Sequence, residues 1–272
     1  YIGNAQHLSW VIGTAWLPWT LLTFICFAKR PAFKNLLSCS LVLNFMITGA
    51  YPAISIISFY FLMALAFYLL ITRQVELKKF SFHSVVLLIT TMMLCSGFIF
   101  SIWQSLPFIE RSHSLSFSKA MFGNFPLRSF MTLIWPSALL HTDTNGTDIS
   151  MMNGFFGWTI MLGALYFFAF GKERKKWLLA IGILLFFLVA VGSELPLRKW
   201  LFEFVPLMDR FRFPSVFRLF ALMLLFVAGS YGLTKFLDSQ RRKHMRLLLI
   251  MFCMTEIYFN TKTQIPLTVV SD

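Results

Sequence analysis

The segment Asp209-Arg210-Phe211-Arg212-Phe213-Pro214-Ser215-Val216-Phe217-Arg218 carries three arginines within ten residues. A guanidinium group binds phosphate through two parallel hydrogen bonds, so such a cluster suits recognition of a phosphate-bearing ligand. Arg218 also lies about one turn inside a long apolar run. An arginine in such a place costs roughly 2.5–3.5 kcal/mol at mid-membrane and less toward the ends, and therefore needs a partner. Glu110, Glu194, Glu203 and Asp209 are candidates, and so is an anionic ligand. Ion pairing with Asp209 or Glu203 accounts for each arginine taken alone, as does a snorkelling side chain reaching headgroups from a helix end.

A second group of ionisable residues lies in Trp103-Gln104-Ser105-Leu106-Pro107-Phe108-Ile109-Glu110-Arg111-Ser112-His113-Ser114. A carboxylate beside a histidine could do acid–base work, with Glu110 and His113 as the pair. Glu110 could equally neutralise Arg111. A metal reading finds no support, because His7, His113 and His141 have no ligand spacing and the carboxylates nearby do not cluster. Cys26, Cys39, Cys95 and Cys253 stand singly in apolar stretches, which excludes a disulfide scaffold and a thiolate-bound metal. Asn145-Gly146-Thr147 fits a glycosylation acceptor pattern, though three residues are weak evidence. The sequence contains no phosphate-cradling glycine loop, no Ser/His/Asp phrase and no heptad repeat.

What must position these residues follows from composition. The 272 residues are 58% hydrophobic and 18% aromatic, including 33 Phe, with only 13% charged. A soluble domain averages about 25% charged residues. The formal charge of +13 is spread thinly between apolar runs, which points to a polytopic membrane protein rather than a nucleic-acid binder. The fold expected is all-α, with about eight transmembrane helices at 8–28, 36–51, 53–72, 81–102, 155–171, 177–192, 215–237 and 246–260. The second and third are divided only by Gly49-Ala50-Tyr51-Pro52, a tight-turn phrase. The whole of 1–272 reads as a single transmembrane domain. It opens on Tyr1 without a signal sequence and closes on a strand-like phrase, so an internal piece of a longer chain is expected.

Basic residues orient such a bundle. The loops after the first, third, fifth and seventh spans hold fifteen of the 24 Lys and Arg, from Lys29 and Arg30 through to Arg246. Those loops are expected in the cytoplasm, leaving both ends and two larger loops, 103–154 and 193–214, outside. Each outer loop suggests a helix lying along the membrane. In Pro126–Pro136 the α-helical spacing of Leu127, Phe130, Met131 and Ile134 makes one apolar stripe. In Leu195–Val205, Trp200, Leu201 and Phe204 share a side, while Arg198, Lys199 and Glu203 supply polarity. Such helices could shape a lipid-accessible site or serve as connectors.

Several phrases taken in order resemble one family. They are Gln6-His7-Leu8 leading to Ala15-Trp16-Leu17-Pro18, Gly49-Ala50-Tyr51-Pro52, Gln104 through Ser112, and Gly192 through Pro196. Val205-Pro206, Phe211-Arg212-Phe213-Pro214 and Phe217-Arg218-Leu219 follow. The chain is similar over nearly its whole length to a middle portion of the YfhO-type bacterial membrane proteins, relatives of the GT-C glycosyltransferases. The resemblance implies transfer of a sugar from a polyprenyl-phosphate donor to a cell-envelope polymer or lipid, outside a bacterial cytoplasmic membrane. It implies that Arg210, Arg212 and Arg218 face the donor phosphate, and that Glu110, Arg111 and His113 line the acceptor or sugar side. The family's acidic residue, acting as base or metal partner, would precede Tyr1. The catalytic residue is therefore unassigned, no cofactor is evident, and a divalent metal in the complete protein is compatible with the resemblance. The competing expectations are a lipid or sugar transporter or flippase, and a non-catalytic scaffold for envelope assembly.

Overall fold

A computed structural model describes residues 8–108, 114–139, 149–239 and 243–268. About 80% of it is helical and no strand occurs among the described residues, as expected of an all-α chain. His7, Glu110, Arg111, His113, His141 and Asn145-Gly146-Thr147 lie outside the described residues.

Every expected span coincides with helix, but among the described residues the number long and apolar enough to cross a membrane is four rather than eight. These are Leu8–Lys29, Pro52–Ile71, Leu77–Leu94 and Pro214–Asp238. The physical reason is length and polarity. Phe33–Gly49 has 17 residues, Lys175–Ala190 has 16 and Trp158–Phe170 has 13, which at 1.5 Å per residue fall short of a hydrocarbon core about 30 Å thick. Lys243–Thr268 is long, but carries Lys243, His244, Arg246, Glu256 and Lys262. The expected span 81–102 is broken at Cys95 into Leu77–Leu94 and Ser96–Ser105.

The chain divides into two compact units. The first comprises residues 4–115 with 207–211 and contains helices α1 (Leu8–Lys29), α2 (Phe33–Gly49), α3 (Pro52–Ile71), α4 (Leu77–Leu94) and α5 (Ser96–Ser105). The expected turn at Gly49–Pro52 is present. Ala50 N–H closes α2 on the Met46 carbonyl at 3.0 Å, Tyr51 N–H reaches the Ser9 carbonyl at 3.1 Å, and Pro52 starts α3, where its missing N–H costs nothing. Phe24, Phe27, Leu36, Cys39, Leu62 and Leu87 form the core of this unit.

The second unit comprises residues 116–206 and 212–272. It holds α6 (Phe117–Ala120), α7 (Ile149–Met152), α8 (Trp158–Phe170), α9 (Lys175–Ala190), α10 (Pro196–Phe204), α11 (Phe217–Ser239) and α12 (Lys243–Thr268). Helices α8 and α11 touch backbone to backbone. A methyl group added at Gly232 would stand 1.9 Å from the Gly163 carbonyl oxygen, and one at Gly163 would stand 2.3 Å from that of Gly229. Glycines at such a seam let helices gain van der Waals contact where lipid supplies no hydrophobic drive.

Polarity in both units is turned inside out. Thr20, Ser40, Ser58 and Thr91 are buried in the first, and Ser129, Thr132, Arg198, Arg218 and Glu256 in the second, while Phe33, Phe59, Phe67, Phe170, Leu184 and Ile250 are exposed. A water-soluble chain of this size would not leave so much large apolar surface uncovered. The distribution is consistent with a membrane protein.

The expected α-helix over 126–136 is instead a 3-10 helix, Leu127–Leu133. Thr132 draws the backbone inward. Its hydroxyl donates to the Ser129 carbonyl at 2.6 Å and accepts from Gly154 N–H at 2.8 Å. Leu127, Met131, Ile134 and Trp135 are left exposed. The second expected interfacial helix is α10, with Trp200 and Phe204 exposed as its apolar side.

Candidate functional site

The start of α11 is built by three segments of backbone that hold one another. Phe125 N–H donates to the Ala190 carbonyl at 2.9 Å, Phe213 N–H to Phe122 at 3.0 Å and Ser215 N–H to Gly123 at 3.3 Å. The Asn124 amide adds a bond to the Val191 carbonyl at 3.0 Å. Such close approach requires Gly123, at φ 72°, because a Cβ there would stand 2.4 Å from the Phe213 ring. Phe213 itself adopts φ 68°. A non-glycine residue in this left-handed region costs roughly 1–2 kcal/mol, and strain of this kind concentrates at functional sites. Pro214 then opens the 3-10 turn Pro214–Val216 that leads into α11.

Around this turn the arginines take three different environments. Arg218 is 2% exposed. One of its terminal nitrogens donates to the Ser150 carbonyl at 2.5 Å, the other to Met151, and the group lies over the Phe125 ring. The first turn of a helix disfavours a cation, because the macrodipole is positive there. The α7 carbonyls supply the compensating negative ends of dipoles, which answers the need for a partner that the sequence raises. Arg212 is half-buried, and its Nε is enclosed with no hydrogen-bond partner among the described residues. The Ser215 hydroxyl is likewise enclosed without one. Arg210 is exposed and pairs with Asp209 at 3.5 Å. It belongs to the first unit, whereas Arg212 and Arg218 belong to the second.

Of the other acidic candidates, Glu203 pairs with Lys199 at 3.9 Å, and Glu194 accepts Leu127 N–H at 3.1 Å. Glu194 therefore anchors the 3-10 helix Leu127–Leu133.

Two buried charges escape a reading of sequence. Arg198, expected among the polar residues of α10, is fully buried with its guanidinium over the Phe217 ring at 5.9 Å. Glu256, 6% exposed within α12, accepts from Trp158 N–H at 2.5 Å, Thr159 N–H at 3.0 Å and the Thr159 hydroxyl at 2.7 Å. It thus caps α8 from a distant helix, placing a carboxylate at the positive end of the α8 dipole. Gly157 makes room: at φ 106° it brings the backbone so near that a Cβ would stand 2.9 Å from the Glu256 Oε1. A lone carboxylate in an apolar helix is the signal that could have found it. The Trp158 indole donates to the Ile134 carbonyl at 2.6 Å, tying the exposed 3-10 segment to the same helix start.

Among the described residues no three His, Cys, Asp or Glu come together as metal ligands. The chain matches no protein-family model, no curated protein and no solved structure.

Proposed function

We propose that this chain is the membrane-embedded part of a glycosyltransferase-like protein of the YfhO type. In this reading eight segments cross a bacterial cytoplasmic membrane, the shorter ones where the bilayer thins or flanking residues snorkel. The loops bearing Lys29, Arg73, Lys175 and Arg241 face the cytoplasm, and both ends of the chain lie outside. The substrates are a polyprenyl-phosphate-linked sugar and a cell-envelope polymer or lipid. An acceptor oxygen attacks the anomeric carbon and the bond to the donor phosphate breaks. The phosphate keeps the electron pair, and the acceptor proton passes to a base yet to be assigned.

The observation that carries the reading is Arg212. Its enclosed Nε has no hydrogen-bond partner among the described residues, and the side chain is otherwise partly exposed. It immediately precedes the strained Phe213 at the head of α11, with the buried cation Arg218 in that helix's first turn. A fixed guanidinium suits the charge that develops on a leaving phosphate. Arg218, buried on the Ser150 and Met151 carbonyls, acts through the backbone it holds, and the family resemblance alone adds Arg210 to the phosphate-facing residues. Glu110, Arg111 and His113 are assigned to the acceptor or sugar side.

The test is Arg212→Ala in the complete protein, in membranes supplied with a polyprenyl-phosphate sugar. Loss of one such donor should lower transfer about 10²–10³-fold while membrane insertion and thermal stability stay unchanged. Unaltered transfer would refute the phosphate role. Accumulation of sugar in proteoliposomes without a glycosyl product would identify a transporter instead.

A further inference from the structure

On the first unit, the end of α1, the turn between α3 and α4, and the start of α4 surround an open depression of about 270 Å³. Its lining joins two chemistries. Ala28, Val75 and Phe80 make an apolar floor, and Lys29, Gln74 and Lys79 stand with Glu76 at the rim. The floor runs into the core of the unit, since the Phe80 ring lies 6.5 Å from Phe24 and 6.4 Å from Phe27.

The rim is shaped rather than accidental. Helix α3 closes with Gln74 N–H on the Leu69 carbonyl and Arg73 N–H on the Leu70 carbonyl, with Arg73 at φ 52°. This is the paired-bond ending in which glycine normally fills the left-handed position. It turns the chain back so that Gln74 and Val75 join the depression. On the α1 side, the Asn35 amide fixes the turn by donating to the Arg30 carbonyl at 2.7 Å. The Lys79 ammonium is held by Glu76 at 2.9 Å, whereas Lys29 has no ion-pair partner among the described residues. Arg30, Lys34, Arg73 and Lys78 flank the site, so the surrounding potential is positive.

We propose that this depression binds the headgroup of an anionic glycerophospholipid, with the phosphate between Lys29 and Lys79. The ligand must be a lipid and not a free phosphate ester because of what surrounds the rim. Phe33, Ile71, Leu77 and Phe82, each within three residues of a lining residue, are exposed, which is surface for acyl chains rather than for water. Basic recesses between helix ends, with apolar surface below them, suit lipid headgroups. The proposal is independent of sugar transfer and concerns the other unit of the molecule.

The test uses the full chain purified in a neutral detergent, with phosphatidylglycerol, phosphatidylcholine or glycerol phosphate added. Native mass spectrometry and the thermal midpoint serve as readouts. Phosphatidylglycerol should be retained and raise the midpoint, while the other two should do neither. The double substitution Lys29→Gln/Lys79→Gln should weaken retention about 10-fold or more, at about 1 kcal/mol per lysine. Glu76→Gln removes the one carboxylate at an exposed position and should strengthen retention about 3-fold or more on the same scale. This opposite sign separates recognition from misfolding. Equal retention by the lysine variant, weaker retention after Glu76→Gln, or an equal response to glycerol phosphate would overturn the proposal.

Discussion

The two units share an apolar composition and differ in what they bury. Among the described residues, the first buries small hydroxyls: Thr20, Ser40, Ser58 and Thr91. Thr20 satisfies itself within α1, on the Trp16 carbonyl at 3.0 Å. The second buries Arg198, Arg218 and Glu256 as well, and Arg218 and Glu256 each tie a helix to residues far away in sequence. The Ser40, Ser58 and Thr91 hydroxyls are enclosed without a hydrogen-bond partner among the described residues, so they tie no helix to another and the helices are held by packing. Charges answered across the chain couple irregular segments to helix starts, and only there do loop positions become fixed enough to present a group such as Arg212. The first unit is thus a packed scaffold, and the second is the place to look for chemistry.

The sharpest way to break this contrast is at Glu256. In Glu256→Ala the Trp158 and Thr159 amides and the Thr159 hydroxyl all lose their acceptor. Each unsatisfied buried group costs about 1–3 kcal/mol, so a loss of about 3–5 kcal/mol is expected. Glu256→Gln keeps one carbonyl oxygen and should lose about half as much. Thr20→Val, the corresponding change in the first unit, should cost about 1 kcal/mol or less. Reversible unfolding in mixed micelles measures all three. If Glu256→Ala and Thr20→Val fall together, the difference between the units has no energetic content.

A smaller effect tests packing alone. Gly232→Leu would drive side-chain atoms into the Gly163 backbone and should separate α8 from α11, at a cost of about 1–3 kcal/mol or more. Gly97→Leu in α5 meets nothing within 4 Å, and should change stability by about 0.5 kcal/mol or less. The same unfolding measurement decides it. Similar losses at both positions would mean that the glycine seam is no tighter than an open helix face.

How much of this was legible in the residues depends on the range of the interaction. The helices were, because apolar runs and the Gly49–Pro52 turn act locally. Their sufficiency as spans was not, since the break at Cys95, whose thiol meets Asn44, and the late start of α8 at Trp158, which Glu256 caps, involve residues distant in sequence. Of the stripe, Leu127, Met131 and Ile134 are exposed apolar surface, whereas Phe130 packs on Phe125 and Phe187, and the α-helical period was wrong. Thr132 and Gly154, 22 residues apart, set the backbone there. The need of Arg218 for a partner was legible from its place in an apolar run. The partner was not: it is a pair of backbone carbonyls, and any residue type could have supplied them. Arg198 reads in the sequence as a solvent-facing charge of α10, and its burial was not legible for the same reason. Its burial follows from where Phe217 lies, which no spacing within α10 encodes.

The weakest expected effect sharpens the comparison most, because it separates charge from burial within one unit. Glu173, in the turn after α8, accepts hydrogen bonds from the Lys235 ammonium and, at 3.1 Å, from the Tyr231 hydroxyl. The Lys235 hydrogen bond above all, then its own backbone amide, holds the Glu173 carboxyl below the ordinary glutamate value. A carboxyl depressed in the folded state contributes stability above its unfolded pKa, near 4.3, and loses that contribution as pH falls through the folded value. Thermal midpoints of the parent chain and Glu173→Gln should therefore differ at neutral pH and converge in acid. The gap should be small, since solvent still screens a partly exposed pair. A gap that persists unchanged in acid would place the contribution in side-chain shape rather than in charge. A gap as large as that of Glu256→Gln would show that ionic character alone, irrespective of burial, distinguishes the second unit from the first.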